Sequence, residues 1–368
     1  MNALSARLPD FPWNSLEPAK AKASAHPGGI VDLSVGTPVD PTPQVALDAL
    51  RAAAAAPGYP QTWGTPALRA AIIGSLQRRW NAGELTQRQV LPVIGSKELV
   101  AWLPTLLGLG AADTVVIPAM AYPTYDVGAR IAGCRVVASD HPEELASLRP
   151  KLVWINSPAN PHGRVFDPAE TRAWVDAARG VGALLASDEC YGEFGWEADP
   201  NSVLDQDICG GDPTGLLAVH SLSKRSNVAG YRAGFVAGDE AVVAELLELR
   251  KHAGMMLPDP VQAAMVALLN DTGHVADQRR RYLARRAKLR PVLAAAGFKI
   301  DWSQGSLYLW ATRGEDCWAS VDFLAGLGIL VAPGCFYGAD AAQHVRIALT
   351  ATDERVEAAC ARLADSAR

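Results

Sequence analysis

The sequence has no apolar run long enough to cross a bilayer; even Leu99 to Ala112 falls well short of the roughly 20 residues a spanning helix needs. A membrane protein is therefore not expected. Its six cysteines, Cys134, Cys190, Cys209, Cys317, Cys335 and Cys360, are scattered and show no CxxC pair. That pattern argues against a zinc knuckle, any other metal site or a disulfide framework, and suits reduced thiols in a cytoplasm. Positive charge is not in excess either: 34 Lys and Arg stand against 39 Asp and Glu, a net charge of −5. No general field for nucleic acid or anionic lipid follows from that balance. The start, Met1 to Trp13, lacks a basic segment followed by an apolar one, so no secretory signal is expected. No segment repeats at a fixed period, and the one biased stretch, Ala52 to Ala56, reads as the end of an ordinary helix. What these absences leave is a globular chain that works on small molecules.

Apolar residues make up 49% of the 368 and charged residues 20%, ordinary globular usage. A chain of this length is expected to form a large domain with a smaller one beside it. Short β-rich runs alternate with helical stretches through the middle: Thr114 to Pro118, Arg135 to Ala138, Leu152 to Asn156, Ala183 to Ser187, Leu217 to His220 and Ala233 to Ala237. This is an α/β pattern. Several runs are apolar at consecutive positions, as in strands covered on both faces, so the sheet is expected to be mainly parallel or mixed. After Pro258 the pattern changes to a charged helical segment, Asp277 to Leu293, and short strands near Leu307 to Ala311 and His344 to Ala348. The Pro-rich stretch Thr37 to Pro43 resembles a hinge. The expected division is a large domain over residues 37–276 and a discontinuous small α+β domain from 1–36 and 277–368.

In parallel sheets ligands gather where strands end, and three motifs sit at such ends. Asn156-Ser157-Pro158-Ala159-Asn160-Pro161-His162-Gly163 follows one apolar run, Asp188-Glu189-Cys190-Tyr191 another, and Ser221-Leu222-Ser223-Lys224 a third, with Arg232 eight positions on. Earlier, Gly95-Ser96-Lys97-Glu98 follows the run Val90 to Ile94 and opens a helical stretch, an arrangement that suits a phosphate at a helix N-terminus. A strand-end lysine alone is usually a solvated one, and a Gly-Ser before a helix is often only an N-cap. In this order and together, the motifs resemble the fold-type I aminotransferases of the aspartate aminotransferase class, and the agreement spans nearly the whole chain.

That resemblance implies an α/β PLP-dependent transferase (aspartate aminotransferase-like) fold and pyridoxal 5′-phosphate as cofactor. It makes Lys224 the Schiff-base lysine and acid-base catalyst, and gives Asp188 the pyridine nitrogen. Asn160 and Tyr191 would bond the phenolic oxygen, and Tyr122 would stack on the ring. Ser96 and Lys97, through their main chain, would hold the phosphate with Ser221, Ser223 and Arg232. Tyr59, in Gly58-Tyr59-Pro60, matches the tyrosine that reaches the neighbouring subunit's phosphate, which implies a homodimer with shared sites. Arg346 matches the arginine that grips the substrate α-carboxylate, and Gly36 the glycine beside it. The chemistry needs such a set: an amine for the imine, and an anion to keep the ring nitrogen protonated.

The sequence departs from the family pattern at His162, where Thr or Ser is usual, and at Cys335-Phe336-Tyr337-Gly338 after Pro333-Gly334. Segments such as Arg250-Lys251-His252-Ala253-Gly254-Met255-Met256 resemble the bacterial succinyldiaminopimelate aminotransferase subgroup. The expected reaction exchanges the amine of N-succinyl-2,6-diaminopimelate with 2-oxoglutarate in lysine biosynthesis. Lys97, Arg164 and His162 are the candidates for the donor's distant carboxylate. Aspartate or aromatic aminotransfer and C–S lysis are the alternatives within the class. A non-catalytic binding module is the alternative outside it, disfavoured because no basic segment for a DNA-binding domain is present.

Overall fold

Aliphatic strands that lack polar alternation need cover on both faces, and the chain folds to give it. The computed structural model describes residues 4–366; Met1 to Ala3, Ala367 and Arg368, at the ends of the expected small domain, lie outside the described residues. In chain order the strands are β1 (Val31–Asp32), β2 (Val90–Val93), β3 (Thr114–Ile117), β4 (Arg135–Ala138), β5 (Leu152–Asn156), β6 (Leu184–Asp188), β7 (Leu216–Ser221) and β8 (Gly234–Gly238). They continue with β9 (Lys299–Asp301), β10 (Tyr308–Thr312), β11 (Ile329–Leu330), β12 (Ala332–Pro333) and β13 (His344–Ala348).

A seven-stranded sheet has the order β2-β8-β7-β6-β5-β3-β4. The strands from β7 to β4 run parallel, whereas β8 is antiparallel to both β7 and β2, so the sheet is mixed at one edge. Strands β5 and β7 are buried at every residue, while the edge strand β4 is half-buried at Val136 and Val137 and exposed at Arg135 and Ala138. A charged edge of that kind discourages further pairing. One core, with Leu68, Ile72, Leu76, Trp174 and Met265, lies on one side of the sheet, and another, with Leu99, Leu103, Tyr125, Trp154 and Leu246, on the other.

A further core surrounds the sheet β12-β13-β10-β9 and includes Tyr282, Leu289, Val321 and Val356. Leu16, Ala23, Val31 and Leu33 from the start of the chain pack into it, and β1 pairs in parallel with β11. Cys190, Tyr191 and Phe194 also belong to this core, so the segment after β6 joins the two bodies.

Two sequence expectations change in detail. The alanine run is not a helix end: the helix Gln44–Ala52 stops at its first residue, and Ala54 to Ala56 are irregular. Pro57 disfavours helical backbone in the residue before it, and local context overrides alanine's helix preference. The charged helix begins earlier and ends later than Asp277 to Leu293, spanning Gly273–Ala295. Among the described residues no helix is long and apolar enough to cross a membrane.

Candidate active site

Strands β5 and β6 deliver their last residues side by side, with Asn156 in register with Asp188, and β7, whose Val219 pairs with Asp188, runs two residues further to Ser221. Asn156 then fixes the turn that follows. Its amide donates to the backbone oxygens of Asp188 at 2.7 Å and Pro158 at 3.2 Å, and its Oδ1 accepts from the Asn160 N–H at 2.7 Å. Beyond these ends lies a cavity of about 670 Å³, within the usual size range for small-molecule sites. Gly36, Ser96, Lys97, Tyr122, Asn160, Asp188, Tyr191, Ser223, Lys224, Arg232 and Arg346 all line it.

Asp188 is buried and held from two directions. Its Oδ2 accepts from the Tyr125 hydroxyl at 2.8 Å and its Oδ1 from the Cys190 N–H at 3.1 Å. A carboxylate has about four acceptor positions, so capacity remains for a donor in the cavity. Lys224 sits three residues past the end of β7, in the short helix Leu222–Arg225. Ser221 Oγ accepts from the Ser223 N–H at 3.2 Å, which ties this turn to the strand.

The helix Ser96–Leu106 points its N-terminus at the same space, and no side chain caps it. Gly95 before it has φ +92°, and a Cβ there would collide with the Arg232 guanidinium, so glycine lets that cation lie against the helix end. Lys97 stands at the rim. Partial burial, then repulsion from Arg232 and Lys224, holds its ammonium below the usual lysine range. Four cations, Lys97, Lys224, Arg232 and Arg346, face the cavity against the carboxylates of Asp10 and Asp188. The donor set fits pyridoxal 5′-phosphate: free helix N–H groups and Arg232 for a dianion, an amine for an aldehyde, and a carboxylate for a ring nitrogen.

At the opposite pole Arg346 is only 3% exposed. Its Nη1 donates to Asn160 Oδ1 at 2.8 Å and its Nη2 to the Ser34 carbonyl at 2.7 Å, while its Nε is buried without a partner. The guanidinium stacks on Tyr308, with its carbon 4.0 Å from the ring centre, and lies 4.9 Å from that of Tyr337. A buried cation with only neutral acceptors calls for an anion. Because Arg346 donates to Asn160 Oδ1, the Asn160 amide nitrogen is the end left to donate elsewhere. Tyr191 and Tyr308 share a 3.0 Å hydroxyl pair, and burial, with Tyr308 adding to it, keeps the Tyr191 phenol well above the ordinary tyrosine range. Burial and the Asp188 charge push Tyr122 up to about 12. Both phenols stay protonated and available as donors. Gly36 packs so closely on Tyr308 that any Cβ would strike its hydroxyl.

Other expectations are not met within one chain. Tyr59 is 94% exposed and does not line its own chain's cavity. His162 and Arg164 do not reach the cavity either. They line a separate space of about 90 Å³ behind it, where Arg164 is paired with Glu170 and the His162 ring lies 4.7 Å from that of Trp302. Of the three candidates for a distant carboxylate only Lys97 remains. The cavity also has parts that the motifs did not signal. Tyr125, set behind the cavity wall, holds Asp188 and was not singled out by any motif. Tyr308 comes from a strand with no distinguishing pattern. The stretch Leu8 to Trp13 forms part of the wall, and the Trp13 ring packs 5.4 Å from that of Phe336.

Residues 29–363 match the family model described as aminotransferase class I and II. A probable aminotransferase of Mycobacterium tuberculosis is 62% identical over 360 residues, covering 98% of this chain and 86% of that protein. The 4-dedimethylamino-4-oxo-anhydrotetracycline transaminase of Streptomyces rimosus is 58% identical over 356 residues, covering 97% and 99%. Among solved structures, an aminotransferase from Staphylococcus aureus superposes with a TM-score of 0.89 at 25% identity, covering 100% of this chain and 99% of that one.

Proposed function

Because the chain belongs to the class I and II aminotransferase family, whose members depend on pyridoxal 5′-phosphate, we propose that the cavity at the ends of β5, β6 and β7 is where it transfers amino groups. One observation carries this reading: an amine (Lys224), a doubly held carboxylate (Asp188) and a buried cation lacking an anion (Arg346) converge on one cavity. When bound, the cofactor supplies an electron-withdrawing ring that stabilises the charge left at the substrate Cα after its proton is removed. Lys224 Nζ holds the cofactor and moves that proton. Asp188 accepts the ring N–H, and the Tyr122 ring covers one face. Asn160 Nδ2 and the Tyr191 hydroxyl donate to the phenolic oxygen. The N–H groups of Ser96 and Lys97, with Ser221, Ser223 and Arg232, bind the phosphate, joined by Tyr59 from a second copy of the chain. Arg346 orients the substrate through its α-carboxylate, with Gly36 leaving room beside it.

For the donor, the reading is N-succinyl-2,6-diaminopimelate with 2-oxoglutarate as acceptor, in a cytoplasmic homodimer serving lysine biosynthesis. The size of the cavity, about 670 Å³, and the cation of Lys97 in its lining support a long donor that is anionic at its far end. A second reading is amination of a ketone on a bulky ring system. Phe11 and Trp13 in the wall favour it, as does the similarity to a transaminase named for a tetracycline precursor. A screen that reads glutamate formed from 2-oxoglutarate, or consumed with a polycyclic ketone, decides between them. Turnover of the succinylated donor well above that of free diaminopimelate and aspartate supports the first reading. Equal use of all three, with fast amination of the ring ketone, replaces it with the second. No transfer with any donor refutes the site.

A further inference from the structure

The helix that offers its N-terminus to the cavity, Ser96–Leu106, carries a carboxylate in its own first turn, Glu98. A negative side chain there competes with an incoming anion for the same dipole and the same unpaired N–H groups. The fold prevents this. Arg250 Nη1 and Nη2 donate to the two oxygens of Glu98 at 3.0 Å each, a fork matched to a carboxylate. Arg250 comes from the neighbouring helix Glu240–Ala253 and is 0% exposed. Ser96, Lys97, Val100 and Ala101 line the cavity and Glu98 does not, so the pair holds the carboxylate off it. Two apolar side chains would pack these helices about as well, since a buried ion pair roughly breaks even against them. They would leave no charge at the helix end, whereas Glu98 brings a negative one that Arg250 offsets.

We infer that Arg250 is a positioning residue for the phosphate cradle, cancelling the charge of Glu98 and fixing it away from the site so that the helix end stays open to an anion. The inference rests on the cradle proposed above. The full-length chain, stripped of cofactor, is titrated with pyridoxal 5′-phosphate and with pyridoxal, which lacks the phosphate, and followed by quenching of tryptophan fluorescence. Arg250→Met should weaken the phosphorylated ligand by about tenfold and pyridoxal by less than about threefold. Glu98→Gln breaks the same fork but removes the negative charge, and should weaken neither. The double variant Glu98→Gln/Arg250→Met should bind both ligands as the wild type does; if Arg250→Met does not fold, Arg250→Gln, which is uncharged but can still hydrogen-bond Glu98, takes its place with the same expectations. The inference is overturned if Arg250→Met and Glu98→Gln weaken the phosphorylated ligand alike, since the pair would then act only as a mechanical tie. Equal loss of both ligands in Arg250→Met, no change in any variant, or a weakened double variant also overturns it. A wild type that does not prefer the phosphorylated ligand sinks the cradle itself, a separate failure seen before any variant is made.

Discussion

Replacing Arg346 by lysine should damage every amino-acid donor and every keto-acid acceptor together, because all share the α-carboxylate it is proposed to hold. Arginine has five N–H donors in a fixed fork. Two are committed to Asn160 Oδ1 and the Ser34 carbonyl, which leaves three, including the unpartnered Nε, for a ligand. Lysine has three donors on one atom. It cannot keep both protein bonds and also make a two-point contact with a carboxylate. At least one hydrogen bond to a charged group is lost, about 1.5–3 kcal/mol, which is roughly ten- to a hundredfold in kcat/KM. Part of that loss has a different origin, since release of Asn160 loosens the turn beside the cofactor. The assay therefore measures kcat/KM for several amino acids and, in parallel, for a primary amine without a carboxylate. Amino acids should fall by that factor while the amine changes by less than about threefold. If the amine falls as far as the amino acids, Arg346 only supports the fold of the site. If the amino acids keep wild-type kcat/KM, the carboxylate is bound elsewhere.

Asp188→Asn keeps size and the bond to Tyr125 but removes the charge, so cofactor loading should persist while the chemical step slows on the order of a hundredfold in single-turnover measurements. Gly36→Ala places a Cβ 2.9 Å from Tyr308 Cζ and displaces the ring under Arg346, so KM for amino-acid donors should rise severalfold, with a stability cost of about 1–3 kcal/mol read in urea melts. Burial, with the nearby Arg164 and His344 charges, pushes His162 down to about 3 from the usual 6.5. Between those values the unfolded chain binds a proton that the folded chain does not, so stability falls as pH drops below 6.5, by on the order of 2–3 kcal/mol at pH 4.5. His162→Thr should flatten the acid limb of a stability profile measured from pH 7 to 4.5, and an unchanged limb would show that His162 is not the group responsible.

Much of this site is legible in the sequence because it is built at strand ends, where a short apolar run and the polar residue after it are adjacent in sequence and in space. Asn156 and Asp188 show this: the strands that carry them are found within a residue or so of their expected limits, and they end side by side because the two parallel strands are in register, while β7 runs two residues further, to Ser221. Arg346 is read through resemblance alone, since a strand-end arginine is usually a surface charge and only the fold buries it. Tyr308 and the wall from Leu8 to Trp13 carry no local signal; they reach the cavity through packing between segments some 300 residues apart. His162 and Arg164 show the converse. They stand beside Asn160 in the chain, yet the turn at Asn160-Pro161 sends them to the far side of Asn156 and Trp154. Neighbours in sequence are then not neighbours in the site.

The most direct measurement asks which amine carries the cofactor, because two lysines, Lys97 and Lys224, face the same cavity. Borohydride reduction of the loaded enzyme, followed by proteolysis and mass spectrometry, should find the reduced adduct on Lys224 alone, and Lys224→Ala should yield none. An adduct on Lys97, or one that survives in Lys224→Ala, would contradict the account.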